Sequence, residues 1–191
     1  MKKIFILLGH PNSDDTFCKS LADAYENGAK EAGHEVKRMN VGDINFDPIL
    51  HNGYKVIQQL EPNLLTFQEN IKWCEHFVVV YPTWWTSMPA LLKGLFDRAW
   101  ISGFAFRFKP NGMWNKLLLG RSVRVITTMG APAIIEYLSF GNVTKTLSNN
   151  ILRFAGFSPS RSTWIGSAEK MKIETRQKWF SKMREFGKSG K

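Results

Sequence analysis

Residues 77–98 read Phe77-Val78-Val79-Val80-Tyr81-Pro82-Thr83-Trp84-Trp85-Thr86-Ser87-Met88-Pro89-Ala90-Leu91-Leu92-Lys93-Gly94-Leu95-Phe96-Asp97-Arg98. The first five are apolar without interruption. Such a run, bounded by a loop, fits a strand buried on both faces, as in a parallel sheet. Pro82 stops it, because proline lacks the amide hydrogen that a central strand needs. Pro89 sits where a first-turn proline opens a helix. Leu91, Leu92, Leu95 and Phe96, continued by Ala99 and Trp100, then recur at helical spacing. A buried strand that leads through a short loop into an amphipathic helix is half of a parallel βαβ unit.

The same grammar extends to both sides. Ile4 to Leu8 is another continuous apolar run, followed by the loop Gly9-His10-Pro11-Asn12-Ser13. Phe17, Leu21, Ala24, Tyr25, Gly28, Ala29 and Ala32 then fall on one helical stripe, with Asp14, Asp15 and Thr16 as candidate caps and Gly33 as a stop. Glu35 to Met39 reads as a second strand, which completes a βαβ unit. Residues 42–60 are irregular around Asp47-Pro48, and Leu64 to Cys74 is weakly amphipathic and reads as a helix. Beyond the quoted stretch, Gly103 to Met113 reads as an aromatic loop and Val123 to Thr128 as a fourth strand. Val143, Leu147, Ile151 and Phe154 mark a helix that ends at Gly156, and Ser160 to Ile165 is a fifth strand. A last helix turns Trp179, Phe180, Met183 and Phe186 inward. No repeat or linker interrupts the pattern, so residues 1–191 are expected to form a single domain. Five strands alternating with helices predict an α/β, doubly wound parallel sheet, and right-handed crossovers leave few strand orders. The order 2-1-3-4-5 is preferred over the Rossmann order, because the loop after the first strand has no G-x-G-x-x-G.

Composition narrows the function classes. The 191 residues are 43% hydrophobic and carry a net charge of +10, which suits one sizeable core. Residues 170–191 hold eight basic and two acidic residues, more than half of that net charge. This tail reads as a solvated helix face. A nucleic-acid partner has only charge in its favour, since the aromatics lie in strand-end loops away from the basic tail. Cys18 and Cys74 show no metal-ligand or disulfide spacing, so no metal site is expected and reduced thiols in the cytoplasm are the default. No stretch approaches the roughly 20 apolar residues that span a bilayer, and the N-terminal run is too short for a signal peptide.

Ligands of such sheets bind beyond the carboxyl ends of the strands, near the switch point between strands one and three. Three loops converge there. The loop from His10 to Cys18 leads into a helix N-terminus, which favours a phosphate; it reads equally as an ordinary capped βα loop. The loop from Pro82 to Pro89 holds Trp84 and Trp85, which would either wall a flat aromatic ligand or pack beneath the next helix. Thr127-Thr128-Met129-Gly130 is small enough for backbone amides to approach a heterocycle, a weak signal taken alone.

With these residues in place, the sequence resembles the flavodoxin-like NAD(P)H:quinone oxidoreductase family over nearly its whole length. The stretch Tyr81 to Arg98 is similar to that family's P-x-x-W-x-x-x-P-A-x-L-K-G-x-x-[DE]-R pattern. Gly9-His10-Pro11 with Thr16-Phe17-Cys18 resembles its phosphate loop, Gly103-Phe104-Ala105-Phe106 its G-x-A-[YF] segment, and Thr127 to Gly130 its T-T-x-G turn. The resemblance implies a flavin, FMN or FAD, with the short chain favouring FMN. His10, Thr16, Phe17 and Cys18 would hold its phosphate and ribityl end. Pro82, Thr83, Trp84 and Trp85 would lie along the isoalloxazine, and Thr127, Thr128, Met129 and Gly130 at its pyrimidine edge. It also implies a homodimer in which Phe106 and Phe108 close the neighbouring subunit's substrate pocket. NAD(P)H would give hydride to the flavin, and a quinone-like or other small acceptor would then receive it. Tyr137 matches a catalytic tyrosine of the family. Phe140 stands where the mammalian relatives have a histidine, and Phe106 and Phe108 replace tyrosines. An alternative implied by the family is a flavin-binding regulatory subunit of a potassium efflux system.

Overall fold

The computed structural model describes residues 1–12 and 14–191. The chain runs β1 (Lys3–Leu8), α1 (Phe17–Glu31), β2 (Glu35–Asn40), a 3-10 turn (Val41–Asp43), α2 (Pro62–Trp73), β3 (His76–Pro82), α3 (Ala90–Ala99), β4 (Phe106–Phe108), β5 (Trp114–Lys116), β6 (Ser122–Thr128), α4 (Ala133–Phe140), a π-type helical segment (Thr146–Arg153), β7 (Ser160–Ile165) and α5 (Ile173–Ser189). Five strands form one parallel sheet in the order β2-β1-β3-β6-β7. This is a flavodoxin-like α/β sheet. Its numbering differs from the expected 2-1-3-4-5 because β4, within the stretch read from the sequence as loop, and β5 just beyond it form a separate antiparallel hairpin.

The uninterrupted apolar runs follow from cover on both faces. Successive strand residues point to opposite sides. Phe5, Leu7, Phe77, Val79, Val123 and Val125 therefore face α2, α3 and the π-type segment. Ile4, Ile6, Leu8, Val78, Val80 and Ile126 face α1 and α5. The second pair of helices is in close contact: a Cβ on Gly28 would fall 2.0 Å from Arg184 O, and one on Gly187 would fall 2.1 Å from Tyr25 O. Only glycine permits that approach, and it fixes α5 against α1.

Local signals set the element ends. Of the three candidate caps, Thr16 is the one that caps α1: its side chain accepts from Lys19 N at 3.1 Å. Gly33, at φ +76, follows the helix. Pro89 stands one residue ahead of α3 rather than inside its first turn. Among the described residues, no helix is long and apolar enough to cross a membrane.

Candidate active site

Leu8, Pro82, Thr128 and Ile165 end four strands, with Pro82 paired to Thr128 and Thr128 to Ile165. The loops leaving these ends surround a cleft of about 300 Å³. Ten residues singled out from the sequence line it: His10, Thr16, Phe17, Cys18, Pro82, Thr83, Trp84, Thr128, Met129 and Gly130. Ser13 of the first loop lies outside the described residues. The sequence reading missed the fourth wall, formed by Ala168, Glu169 and Arg176.

At one end the cleft meets the N-terminus of α1, whose first amides have no partner within the helix. His10 accepts a hydrogen bond from Asn12 N at Nδ1, 3.0 Å. In the neutral ring this leaves Nε2 as the N–H donor. The same ring meets Trp84 edge-on, with centroids 5.7 Å apart. Cys18 Sγ lies 3.3 Å from Thr128 Oγ1. Burial pushes its thiol up to about 12, only partly offset by the Thr128 hydroxyl. The group is a neutral wall, not a nucleophile.

Two residues expected at the ligand, Trp85 along the ring and Thr127 at its edge, do not line the cleft. Trp84 and Ser87 exchange backbone hydrogen bonds of 2.9 and 3.0 Å around a two-residue turn, with Trp85 at φ +49 and Thr86 at φ +62. This left-handed geometry carries the Trp85 ring away, and Trp85 is 98% exposed. Thr127 is fully buried, and its hydroxyl shares a hydrogen bond of 2.6 Å with the Thr83 hydroxyl; it supports the wall from below. Met129 lines the cleft, but its N–H is taken by Ile165 O at 2.9 Å. Gly130 lines the cleft with open space on its Cβ side, since nothing lies within 4 Å of where a Cβ would stand.

Tyr137 is not brought to the cleft. A Cβ on Gly166 would lie 2.3 Å from Ala133 N, so the start of α4 is packed against the loop after β7. The helix buries no residue, and Tyr137 faces outward, 5.9 Å from the Trp164 ring over a separate shallow depression. Phe106 and Phe108 also lie apart from this chain's own cleft. Both are on the β4–β5 hairpin, where Phe106 packs on Phe154 and Phe108 is 61% exposed.

Arg176 stands in the first turn of α5, in the segment read from the sequence as a solvated basic face. Its Nη2 donates to Ala168 O at 3.1 Å, and its guanidinium carbon lies 5.0 Å from the Phe17 ring centroid. Its Nε is buried with no hydrogen-bond partner. A run of regularly spaced basic residues does not distinguish the one that the helix start turns toward the strand ends.

Comparison with known proteins agrees with this geometry. A Haemophilus influenzae protein named as an uncharacterized NAD(P)H oxidoreductase is 29% identical over 161 residues, 79% of this chain and 77% of that one. An FMN-dependent NADH:quinone oxidoreductase of Metamycoplasma arthritidis is 24% identical over 200 residues, 97% of this chain and 100% of the relative. The solved NAD(P)H:quinone oxidoreductase of Methanothermobacter marburgensis shares the fold with a TM-score of 0.87, at 20% identity over 100% of this chain and 99% of that one. A family model for the flavodoxin-like fold matches residues 2–186, and the chain belongs to that flavodoxin-like family, with NAD(P)H oxidoreductases and quinone reductases as its relatives.

Proposed function

We propose that the cleft holds FMN and that the protein is an oxidoreductase that passes a hydride from NAD(P)H to a quinone-like or other small acceptor. The observation that carries this reading is the convergence of three loops of different chemistry on one cleft at the strand ends. The relatives named NAD(P)H oxidoreductase and FMN-dependent NADH:quinone oxidoreductase support it. The residues present fit the cofactor: a helix N-terminus with a His10 N–H beside it suits a phosphate, Trp84 offers a ring wall, and Gly130, with no side chain, lets backbone approach closely. When bound, FMN supplies the two-electron chemistry; the protein binds, orients and tunes it.

The chain's own contributions follow from the geometry. Trp84, braced by the His10 edge, keeps one wall flat. Gly130 N–H would be the donor this turn offers to the bound group, because Met129 N–H is engaged by β7. Thr83, held by Thr127, sets the wall between them. Cys18 keeps its proton and stays out of the chemistry. The relatives are oxidoreductases, and no observation favours the potassium-efflux subunit. We treat residues 1–191 as one domain, supported by a single sheet covered on both faces and a family match over 2–186. Its two free buried thiols fit a cytoplasmic setting.

Purified protein is expected to be yellow and to release FMN on heating, at about one flavin per chain. Colourless protein that takes up neither FMN nor FAD would overturn the reading. We also propose a homodimer in which Phe106 and Phe108 of one chain close the cleft of the other. The exposed Phe108 on a hairpin remote from its own cleft motivates this. Light scattering is expected to give twice the chain mass; a fully active monomer at micromolar concentration rules the shared pocket out.

A further inference from the structure

We infer that Arg176 is the cation that anchors the cofactor's terminal phosphate, so that α1 and α5 together clamp one phosphomonoester. This rests on the reading of the cleft as an FMN site and names a residue outside the phosphate loop that the sequence pattern points to.

Arg176 is the one Lys or Arg among the described residues that line the cleft. It sits at the α1 end, beside the ring of Phe17, the first residue of that helix. Its charge is uncompensated there. Among the described residues, Arg38 holds Asp23 and Glu26, and Arg98 holds Glu61, but no carboxylate lies within ion-pair distance of Arg176. Glu169 lines the same cleft without pairing to it.

The guanidinium is held and still has donors to give. Nη2 is held by Ala168 O, the guanidinium carbon lies 5.0 Å from the Phe17 ring centroid, and the buried Nε–H has no acceptor. A buried donor without a partner is unfavourable, and a ligand oxygen at that edge would satisfy it. The Nε and Nη hydrogens of arginine form a planar fork that matches two oxygens of a phosphate. The amides of the first turn of α1 approach the same end of the cleft. Because Gly28 and Gly187 lock the two helices together, the fork and the amides keep a fixed separation. A cation beside a helix N-terminus suits a compact dianion, which FMN carries and riboflavin lacks.

FMN and riboflavin have the same ring system and differ by the phosphate, so comparing them isolates the contact. Full-length protein freed of flavin by dialysis is titrated with each, following flavin fluorescence. Wild-type protein is compared with Arg176→Met, which keeps the stem over Phe17, and Arg176→Lys, which keeps the charge but not the fork. Arg176→Met is expected to weaken FMN binding about 10- to 100-fold, the range for charge-assisted hydrogen bonds. Its riboflavin affinity should stay within about twofold of wild type, and Arg176→Lys should recover part of the FMN loss. Equal losses for both flavins would show that Arg176 only braces the fold, and unchanged FMN affinity would show that it does not touch the phosphate; either overturns the inference. Wild-type protein that binds riboflavin and FMN equally well also overturns it while leaving the flavin site standing. Wild-type protein that binds neither overturns the site itself, and the inference with it.

Discussion

Trp84 and Trp85 occupy the same short turn, yet the cleft is lined by the first and not the second. Two left-handed residues, Trp85 and Thr86, reverse the chain between them. Neither is glycine, the usual mark of such a turn. The pair therefore reads from sequence as two equal candidates, and only the backbone separates them. Replacing Trp84 with Ala should weaken FMN binding by about 1–3 kcal/mol, the scale of a large aromatic contact. Trp85→Ala should change it by less than about 0.5 kcal/mol, as for an exposed side chain away from special features. Fluorescence titration of both variants checks this, and equal losses would mean that Trp85 turns inward when the cofactor binds. A similar limit hid the role of Thr127. Its place in the T-T-x-G turn was legible, but which threonine faces the ligand depends on strand register: Thr128 lines the cleft while Thr127 bonds to Thr83 beneath it.

At the scale of elements, long periodic segments were readable and short ones were not. β4 and β5 have three residues each, too few to show alternation, and α4 exposes Ile134, Ile135, Leu138 and Phe140, so no polar face marks its period. The irregular stretch 42–60 also gave no periodic signal, because it is held by a few separate anchors, Ile44, Phe46 and Leu60 on the core and Arg98 on its carbonyls, rather than by a helix or strand of its own. Arg98 of α3 is buried, with Nη2 donating to Glu61 Oε2 at 2.8 Å and to Gln59 O at 2.7 Å, and Nη1 donating to Asp47 O. The sequence showed Arg98 only as the last residue of a family pattern; the structure gives it a mechanical role. Arg98→Ala should destabilise the fold by about 1.5–3 kcal/mol, the range for hydrogen bonds to a charged group, because the Glu61 carboxylate left behind is partly solvated. Urea unfolding measures this, and a loss below about 1 kcal/mol, as for an exposed pair, would contradict it. Limited proteolysis should then cut first within residues 47–61, because their carbonyls lose the donor that ties them to α3.

For the molecule as a whole, cover on both sheet faces made the strands legible, and the same cover sets its acid stability. His76 begins β3 and is fully buried, a place the sequence could not reveal because histidine is as common at exposed strand ends. Its Nδ1 is 2.7 Å from Ser122 Oγ, its Nε2 has no partner, and its ring stacks 6.4 Å from Tyr25. Burial holds its pKa down to about 3, helped by the nearby charges of Lys2, Arg124, Arg161 and His34. An unfolded histidine titrates near 6.5. Between those values the unfolded chain binds a proton that the folded chain refuses. The contribution is therefore present above about pH 6.5 and is lost as pH falls toward 3. Asp23, Glu26 and Glu61 have lowered pKa values as well, but their contribution is lost only below their unfolded values, near 4. The window from about pH 6.5 to 5 thus separates His76 from these carboxylates; there each pH unit removes up to about 1.4 kcal/mol through His76, or about 2 kcal/mol in all. Urea midpoints at about pH 7, 6 and 5 should fall accordingly in the wild type. In His76→Gln, which keeps a polar partner for Ser122 but cannot titrate, the midpoints should stay level over that window even if all of them are lower. A variant with the wild-type slope would show that the loss comes from elsewhere and that His76 already takes up its proton in the folded protein.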